Sequence, residues 1–234
     1  MEFHRQGQST CVFVDMPSII SFAAVSGPRE GEGPLGQLFD MVYSTTLCGE
    51  VSWEKAESKM LRQAVDLALA KAEIDESQID FLVAGDLLNQ IVSSGYMARE
   101  FNIPFLGIYG ACATMAQGLA LAAFLTAGRF ARYAVAASSS HHDAAERQFR
   151  YPTEFGHQKP PTSQWTATLA GATVISAAGS QGPLIEAVTI GRVHDKGIVD
   201  ANDMGSAMAP AFVDTVYRHL QDMSRKPQDY DLIL

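Results

Sequence analysis

Clusters of basic residues are missing from this sequence. The chain has 17 Lys and Arg residues against 26 Asp and Glu, which gives a formal net charge of -9. Non-specific binding to nucleic acid or to an anionic lipid surface requires clustered cationic side chains that neutralise phosphate groups. We therefore expect no nucleic-acid partner.

Cysteine is also scarce. Cys11, Cys48 and Cys112 are the only three, they are widely separated, and no CxxC pair occurs. This pattern supports neither a disulfide framework nor a zinc site, so no metal is expected and a reducing compartment fits best.

Long apolar runs are absent as well. The longest run of small and apolar residues, Leu119–Ala127, is too short to span a bilayer, and Met1–Gln6 lacks the basic-then-apolar layout of a secretory signal. If the protein works at a membrane, we expect a partner to hold it there.

Apolar residues make up 47% of the chain and charged residues only 18%, so the chain can bury a sizeable core. Trp53–Ala72 has apolar residues on one face and Ser52 in front as an N-cap, which predicts a helix. Shorter apolar runs that predict strands alternate with helical segments, at 79–84, 103–109, 133–137 and 171–177. Such alternation predicts an α/β fold with a mostly parallel sheet covered on both faces.

Five other segments complete the pattern. Cys11–Val14 and Ile19–Val25 are interpreted as a pair of edge strands or one bent strand. Residues 138–163 are polar and predict a long functional loop. Met204–Leu220 predicts a helix, and Tyr230–Leu234 predicts the beginning of a strand.

The most unusual position is Cys112, which follows a predicted strand and stands beside the first turn of an Ala-rich helix. Its neighbours Gly110, Ala111 and Ala113 are small and leave room for a ligand to approach the sulfur. A helix N-terminus favours a thiolate. The alternative is a small hydrophobic side chain at a tight junction.

Polar residues also follow two other predicted strands, and ligands of open parallel sheets bind beyond the carboxyl ends of the strands. Asp86 and Asn89 follow one strand, and His141 and His142 follow another. The simple inference is a crevice shared with Cys112, although Asp86 and Asn89 equally suit a structural cap. The adjacent histidines point in different directions, which disfavours metal binding.

The polar segment after His142 carries several cations. Arg147, Arg150 and Lys159 are offset by Asp143, Glu146 and Glu154, which predicts a solvated charged surface. The sharper hypothesis is a guanidinium fork for a carboxylate ligand.

Five long segments give the chain a family resemblance. They are Gly33–Asp40, Ala84–Gln90, Phe105–Thr114, Ala145–Gly156 and Asp203–Pro210. With the cysteine at the helix start, they resemble the thiolase and ketoacyl-synthase superfamily and, within it, the stage V sporulation protein AD family.

This resemblance implies a thiolase-like fold made of two βαβαβαββ halves. Residues 1–180 would form a complete first half, and residues 181–234 an incomplete second half. The chain is then expected to be truncated relative to the family. The histidine that condensing enzymes supply from the second half is therefore not expected here, so the resemblance implies a protein that is not an enzyme.

The family implies binding of dipicolinic acid, alone or as its calcium chelate, with uptake into the developing spore and release in germination. Its pocket would include Cys112, Ala111, Asp86, Asn89 and His141, with Arg147, Arg150 or Lys159 as carboxylate partners. No cofactor is expected.

The implied partners are a second copy of the chain and integral membrane subunits at the spore inner membrane. In this scheme the protein is made in the cytoplasm and acts as a peripheral component. Two alternatives remain: acyl transfer through Cys112 with His141 or His142 as base, and a purely structural subunit.

Overall fold

A computed structural model describes residues 3–149, 164–177, 181–200 and 203–234. The chain divides into two compact units. The central unit is Pro17–Leu184, and the terminal unit combines Met1–Met16 with Ile185–Leu234. The predicted division into halves at residue 180 stays a prediction.

The central unit is built on a six-stranded sheet. Its strands are β3 (Ser18–Ser26), β4 (Met41–Val42), β5 (Phe81–Gly85), β6 (Phe105–Gly107), β7 (Tyr133–Ser140) and β8 (Leu169–Ser176). They lie in the order β4-β3-β8-β7-β5-β6. Five strands run in the same direction, and β8 runs antiparallel between β3 and β7.

Five described α-helices belong to this unit. They are α1 (Pro28–Gly31), α2 (Trp53–Ala72), α3 (Val92–Ala98), α4 (Thr114–Ala127) and α5 (His142–Phe149). Without the short elements α1, β4 and α5, the order is β3-α2-β5-α3-β6-α4-β7-β8, which matches the predicted βαβαβαββ unit. The predicted α/β, thiolase-like fold class is therefore confirmed.

One face of the sheet is covered by α2 and α3. Ser52 caps α2 by accepting a hydrogen bond from the Lys55 backbone N–H at 3.3 Å, as predicted. Met60, Leu61 and Val65 of α2 are completely buried in the core. Each such side chain contributes roughly 2 kcal/mol by leaving water, so this face provides much of the stability of the unit.

The opposite face packs against α4. Its small residues allow a close approach: a Cβ atom at Gly118 would lie 3.4 Å from the Ala136 Cβ atom and 3.8 Å from the Val83 carbonyl oxygen. Strand and helix backbones therefore lie near each other where α4 begins, which positions the preceding Cys112 turn.

Two predictions about the central unit need correction. Residues 138–149 are not a loop, because Ser138–Ser140 complete β7 and His142–Phe149 form α5. The remainder of that segment, 150–163, lies outside the described residues. Moreover, the strands Thr10–Phe13 and Ser18–Ser26 are not an edge pair, since they belong to different sheets.

The terminal unit contains a three-stranded antiparallel sheet, β1 (Phe3–Gln6), β2 (Thr10–Phe13) and β9 (Ala187–Thr189), in the order β1-β2-β9. Its helix α6 (Met204–Asp222) confirms the predicted one. Asp222 ties that helix to the sheet by accepting hydrogen bonds from Ser9 N–H at 3.0 Å and the Thr10 hydroxyl at 2.9 Å. The strand predicted at Tyr230–Leu234 is not formed.

Among the described residues, no helix is long and apolar enough to cross a membrane.

Candidate functional site

Cys112 lies in a single turn of 3-10 helix, Ala111–Ala113, that precedes α4. Thr114 closes this turn because its hydroxyl accepts from Gly110 N–H at 3.2 Å and donates to the Ala111 carbonyl at 2.7 Å. Cys112 therefore lies beside the first turn of the helix, as predicted, and the Thr114 side chain holds this turn in place.

The Cys112 turn is open and strained. Ala111, Cys112 and Ala113 are all exposed, and the Cys112 sulfur has no hydrogen bond to any described residue. Ala111 has a backbone φ of 46°, a left-handed conformation that costs a non-glycine residue about 1–3 kcal/mol. The surrounding hydrogen bonds therefore hold an accessible thiol in a defined position.

The neighbouring strand end, after β5, has the opposite character. Asp86 is only 1% exposed. Its Oδ1 accepts from Leu88 N–H at 2.8 Å, and its Oδ2 accepts from the Ser94 backbone N–H at 2.7 Å and hydroxyl at 2.6 Å. These bonds span Gln90 and Ile91, whose φ angles of 61° and 49° are also left-handed. Asp86 thus holds a strained turn in place.

The two strand ends touch. A Cβ atom placed on Gly85 would lie 2.0 Å from the Ile108 carbonyl oxygen and 2.9 Å from the Thr114 methyl carbon. In addition, the Tyr109 hydroxyl donates to the Leu87 carbonyl at 3.4 Å. The predicted juxtaposition of the Asp86 and Cys112 turns is therefore present in the fold.

Asn89 belongs to the same edge. Asn89 is exposed, and its backbone N–H donates to the Gln148 Oε1 atom of α5 at 3.2 Å. This contact brings α5 next to the Asp86 turn and leaves the Asn89 amide side chain without a hydrogen bond in the described part of the chain.

His141 is placed differently from the predicted crevice wall. The side chain is fully buried, its Nε2 lies 2.7 Å from the Thr46 carbonyl, and Ala144 N–H donates to Nδ1 at 3.5 Å. Burial lowers its pKa, although the Thr46 hydrogen bond acts in the opposite direction. The ring is thus neutral at pH 7, with both nitrogens engaged.

His142, the other histidine considered as a base, stacks on Trp165 with ring centroids 3.5 Å apart and planes inclined by 4°. Its Nδ1 lies 3.2 Å from the Thr166 carbonyl. Within the described residues, neither histidine forms a hydrogen bond with Cys112.

Of the three predicted cations, only Arg147 falls within the described residues. Its guanidinium group pairs with Glu54 and lies over the Trp53 ring, 5.1 Å from the centroid. A carboxylate ligand must therefore compete with Glu54 for this side chain. Arg150 and Lys159 lie outside the described residues.

A buried carboxyl group below these turns escaped the sequence predictions. Glu57 of α2 is fully buried, and it accepts hydrogen bonds from the hydroxyls of Ser139 at 2.9 Å and Ser93 at 3.1 Å. Burial, followed by the negative charge of Asp86, raises the pKa of Glu57 to about 7. The sequence could have revealed this burial, because Glu57 lies four residues before Leu61 and therefore on the apolar face of α2.

Chemically, this edge offers an exposed thiol, the hydrogen-bonded Asp86 turn beside it, and backbone groups at the start of α4. An isolated thiol can be acylated or alkylated, but catalytic acyl transfer also needs a positioned base. In the described residues, the edge is better equipped to receive a ligand than to transfer protons to and from it.

Comparison with known proteins identifies the family. Residues 7–234 match the stage V sporulation protein AD family. Stage V sporulation protein AD of Bacillus subtilis (strain 168) is 49% identical over 229 residues, which covers 97% of this chain and 67% of that protein.

Solved structures with a similar fold are ketosynthase-type proteins. An OleA variant of Xanthomonas campestris bound with cerulenin has a TM-score of 0.67 at 13% identity, covering 94% of this chain and 74% of that one. The 3-oxoacyl-(acyl carrier protein) synthase III, FabH, of Xanthomonas oryzae pv. oryzae gives 0.59 at 15%, covering 94% and 77%. These identities support a shared fold alone, whereas the sequence match shows that the chain belongs to the stage V sporulation protein AD family.

Proposed function

We propose that this chain is a non-catalytic, thiolase-like protein of bacterial spores that binds dipicolinic acid, free or as its calcium chelate. It takes part in uptake of that compound into the developing spore and in its release during germination. The observation that carries the proposal is the family match over residues 7–234, together with the exposed Cys112 turn at the sheet edge. No cofactor is part of the proposal.

The ligand position follows from the chemistry of that edge. Dipicolinate is flat and carries two carboxylates, and the small side chains of Ala111 and Ala113 leave space above Cys112 for a flat ring. Backbone N–H groups at a helix start match carboxylate oxygens. The Asn89 side-chain amide, at the same edge, has no hydrogen bond to a described residue, and Arg147 can turn from Glu54 to a ligand carboxylate.

Within the described residues, neither histidine considered as a base is available to Cys112, which favours binding over catalysis. The described histidines considered for that role are engaged elsewhere, His141 with Thr46 and His142 with Trp165 and Thr166. An acyl thioester donor is therefore expected to leave no stable acyl group on Cys112 at neutral pH. Mass spectrometry of the intact chain checks this, and stoichiometric acylation would favour the acyl-transfer alternative.

In the proposed setting, integral membrane subunits hold the protein peripherally at the spore inner membrane. A second copy of the chain can pair along the edge strand β6, which has only one neighbour in the described sheet. If the protein were a purely structural subunit, dipicolinate would leave its stability unchanged.

The direct test is the thermal unfolding midpoint with rising dipicolinate, for the wild-type chain and for Cys112→Ala. A ligand that binds only the folded state raises the midpoint with concentration. We expect a saturable rise that Cys112→Ala weakens, and a smaller one with the monoanion benzoate. A cooperatively folded chain with no shift would contradict binding by this chain, and repeating the titration on the longer Bacillus subtilis relative would separate a missing contact from an absent function.

A further inference from the structure

We propose that the groove between α2 and α3 is a second ligand site, for a small organic dianion with a flat apolar body. The groove has a volume of about 600 Å³, within the range of small-molecule pockets. It shares no lining residue with the Cys112 turn, and the proposal does not depend on dipicolinate binding there. We call this feature the α2–α3 groove; its lining includes Lys55, Ser58, Val92, Tyr96 and Arg99.

The first argument is charge pairing. Three carboxylates also line the groove, and each pairs with a cation. Glu50 pairs with Lys59 at 3.1 Å, and Glu54 pairs with Arg147. Glu100 pairs with Arg62 at 3.3 Å, although Asp66 shares the same guanidinium group at 3.0 Å. The acidic side chains are thus already compensated.

Two cations are left over. Lys55, in α2, and Arg99, directly after α3, are exposed, line the groove, and form no ion pair within the described chain. Uncompensated cations on both walls attract a ligand with two negative charges, and a charge-assisted hydrogen bond is about twice as strong as a neutral one.

The walls and floor define the rest of the ligand. Tyr96 is 58% exposed and Val92 is 37% exposed, so an apolar body has a surface to cover. The Arg99 guanidinium lies over the Tyr96 ring, 5.2 Å from its centroid, so the cation and the aromatic wall are at the same end of the groove. Ser58 at the floor of the groove is nearly buried, and its hydroxyl forms no hydrogen bond with described residues. This hydroxyl can donate a hydrogen bond to an anionic oxygen of the ligand.

Phenyl phosphate is a suitable probe because it is a dianion with an aromatic ring near pH 7.5. Isothermal titration calorimetry on the full chain should show saturable binding. Arg99→Gln and Lys55→Gln should each weaken it about tenfold, whereas Arg132→Gln should not change it. Arg132 is the matched control, because it is exposed, loses the same charge and lies outside the groove.

Tyr96→Ala tests the apolar wall. It should weaken phenyl phosphate binding about fivefold and leave inorganic phosphate binding unchanged. No saturable binding to the wild type, or an equal loss with Arg132→Gln, would overturn the proposal. Loss of phenyl phosphate binding in Cys112→Ala would also overturn it, by assigning the probe to the Cys112 edge, without affecting the proposed function. All substituted side chains are on the surface, and circular dichroism confirms that each variant folds.

Discussion

Two adjacent strand ends use polar residues in opposite ways. After β5, Asp86 is buried and all its hydrogen bonds go to the chain's own Leu88 and Ser94. After β6, Cys112 is exposed and forms none with described residues. The first end holds the loop, and the second end presents a reactive group. Position at a strand end therefore selects candidate residues, but burial and satisfied hydrogen bonds decide which of them remain available to a ligand.

The largest expected effect comes from removing the structural carboxylate. Asp86→Ala leaves buried N–H and hydroxyl donors without an acceptor and no longer offsets the strain at Gln90 and Ile91. We expect a loss of about 3–5 kcal/mol in the free energy of unfolding, measured with urea. Asp86→Asn keeps one acceptor and should lose less. If Asp86→Ala changed the free energy of unfolding by less than about 1 kcal/mol, Asp86 would not hold its loop, and the two strand ends would not differ in the way described.

The second largest loss of stability is expected where the ends of β5 and β6 touch. Gly85→Ala places a methyl group 2.0 Å from the Ile108 carbonyl oxygen, so the backbone must move, at a cost of about 3 kcal/mol. Gly95→Ala is the matched control in α3, because nothing lies within 4 Å of its added methyl group. We expect the control to gain about 0.5–1 kcal/mol. Similar stability of the two variants would mean that the ends do not touch.

The buried Glu57 makes the free energy of unfolding depend on pH. Burial raises its pKa from the ordinary 4.5 to about 7, so the folded chain binds more protons than the unfolded chain between these values. Its contribution to stability is therefore present at low pH and is lost as the pH rises from about 4.5 through about 7.

Glu57→Gln keeps the Ser93 and Ser139 partners within reach and removes this titration. At pH 8 the variant should be more stable than the wild type by at most about 3 kcal/mol, and at pH 4.5 the two should be nearly equal. Urea unfolding across this pH range checks the prediction, with the exposed Glu73→Gln as control. Parallel pH profiles for Glu57→Gln and the wild type would contradict it.

The smallest effect is expected at the exposed thiol. Cys112→Ser should change the free energy of unfolding by less than about 0.5 kcal/mol, because the side chain leaves water hardly at all on folding. Cys48→Ser, at a buried site where burial raises the thiol pKa to about 11, should cost more, about 1–3 kcal/mol.

Thiol labelling provides a second test of the difference in exposure between Cys112 and Cys48. A thiol reagent should modify Cys112 in the folded chain and reach Cys48 only after unfolding. Protection of Cys112 equal to that of Cys48 would contradict the exposure on which the proposed ligand position depends.

Local patterns predicted the local structure well. Ser52 and the one-sided apolar face of Trp53–Ala72 gave the bounds of α2, and the strand alternation gave the parallel sheet. They missed the local helix α5, and they also missed a pairing that depends on distant partners. Thr10–Phe13 pairs with Ala187–Thr189 across the length of the chain, and no short-range pattern encodes that choice.

The site was predicted only in part, for a similar reason. Glycine and alanine around Cys112 indicate an open turn, which the structure contains. Whether Asp86 and His141 face a crevice depends on Ser94 and Thr46, which adjoin them only after folding. The composition of the strand ends therefore located the edge, but it did not assign a role to each side chain.

The missing side chain at Gly85 has a consequence for how this protein can be altered. Because the Asp86 turn and the Cys112 turn meet across that gap, neither can be redesigned, lengthened or shifted without refitting the other. A library of substitutions at residue 85 selected for folding should return glycine almost alone. Libraries at Ala113, in the Cys112 turn, or at Ala116, in the first turn of α4, should accept many residues, because both positions are exposed. New ligand preferences are therefore most readily engineered from the exposed residues around the start of α4.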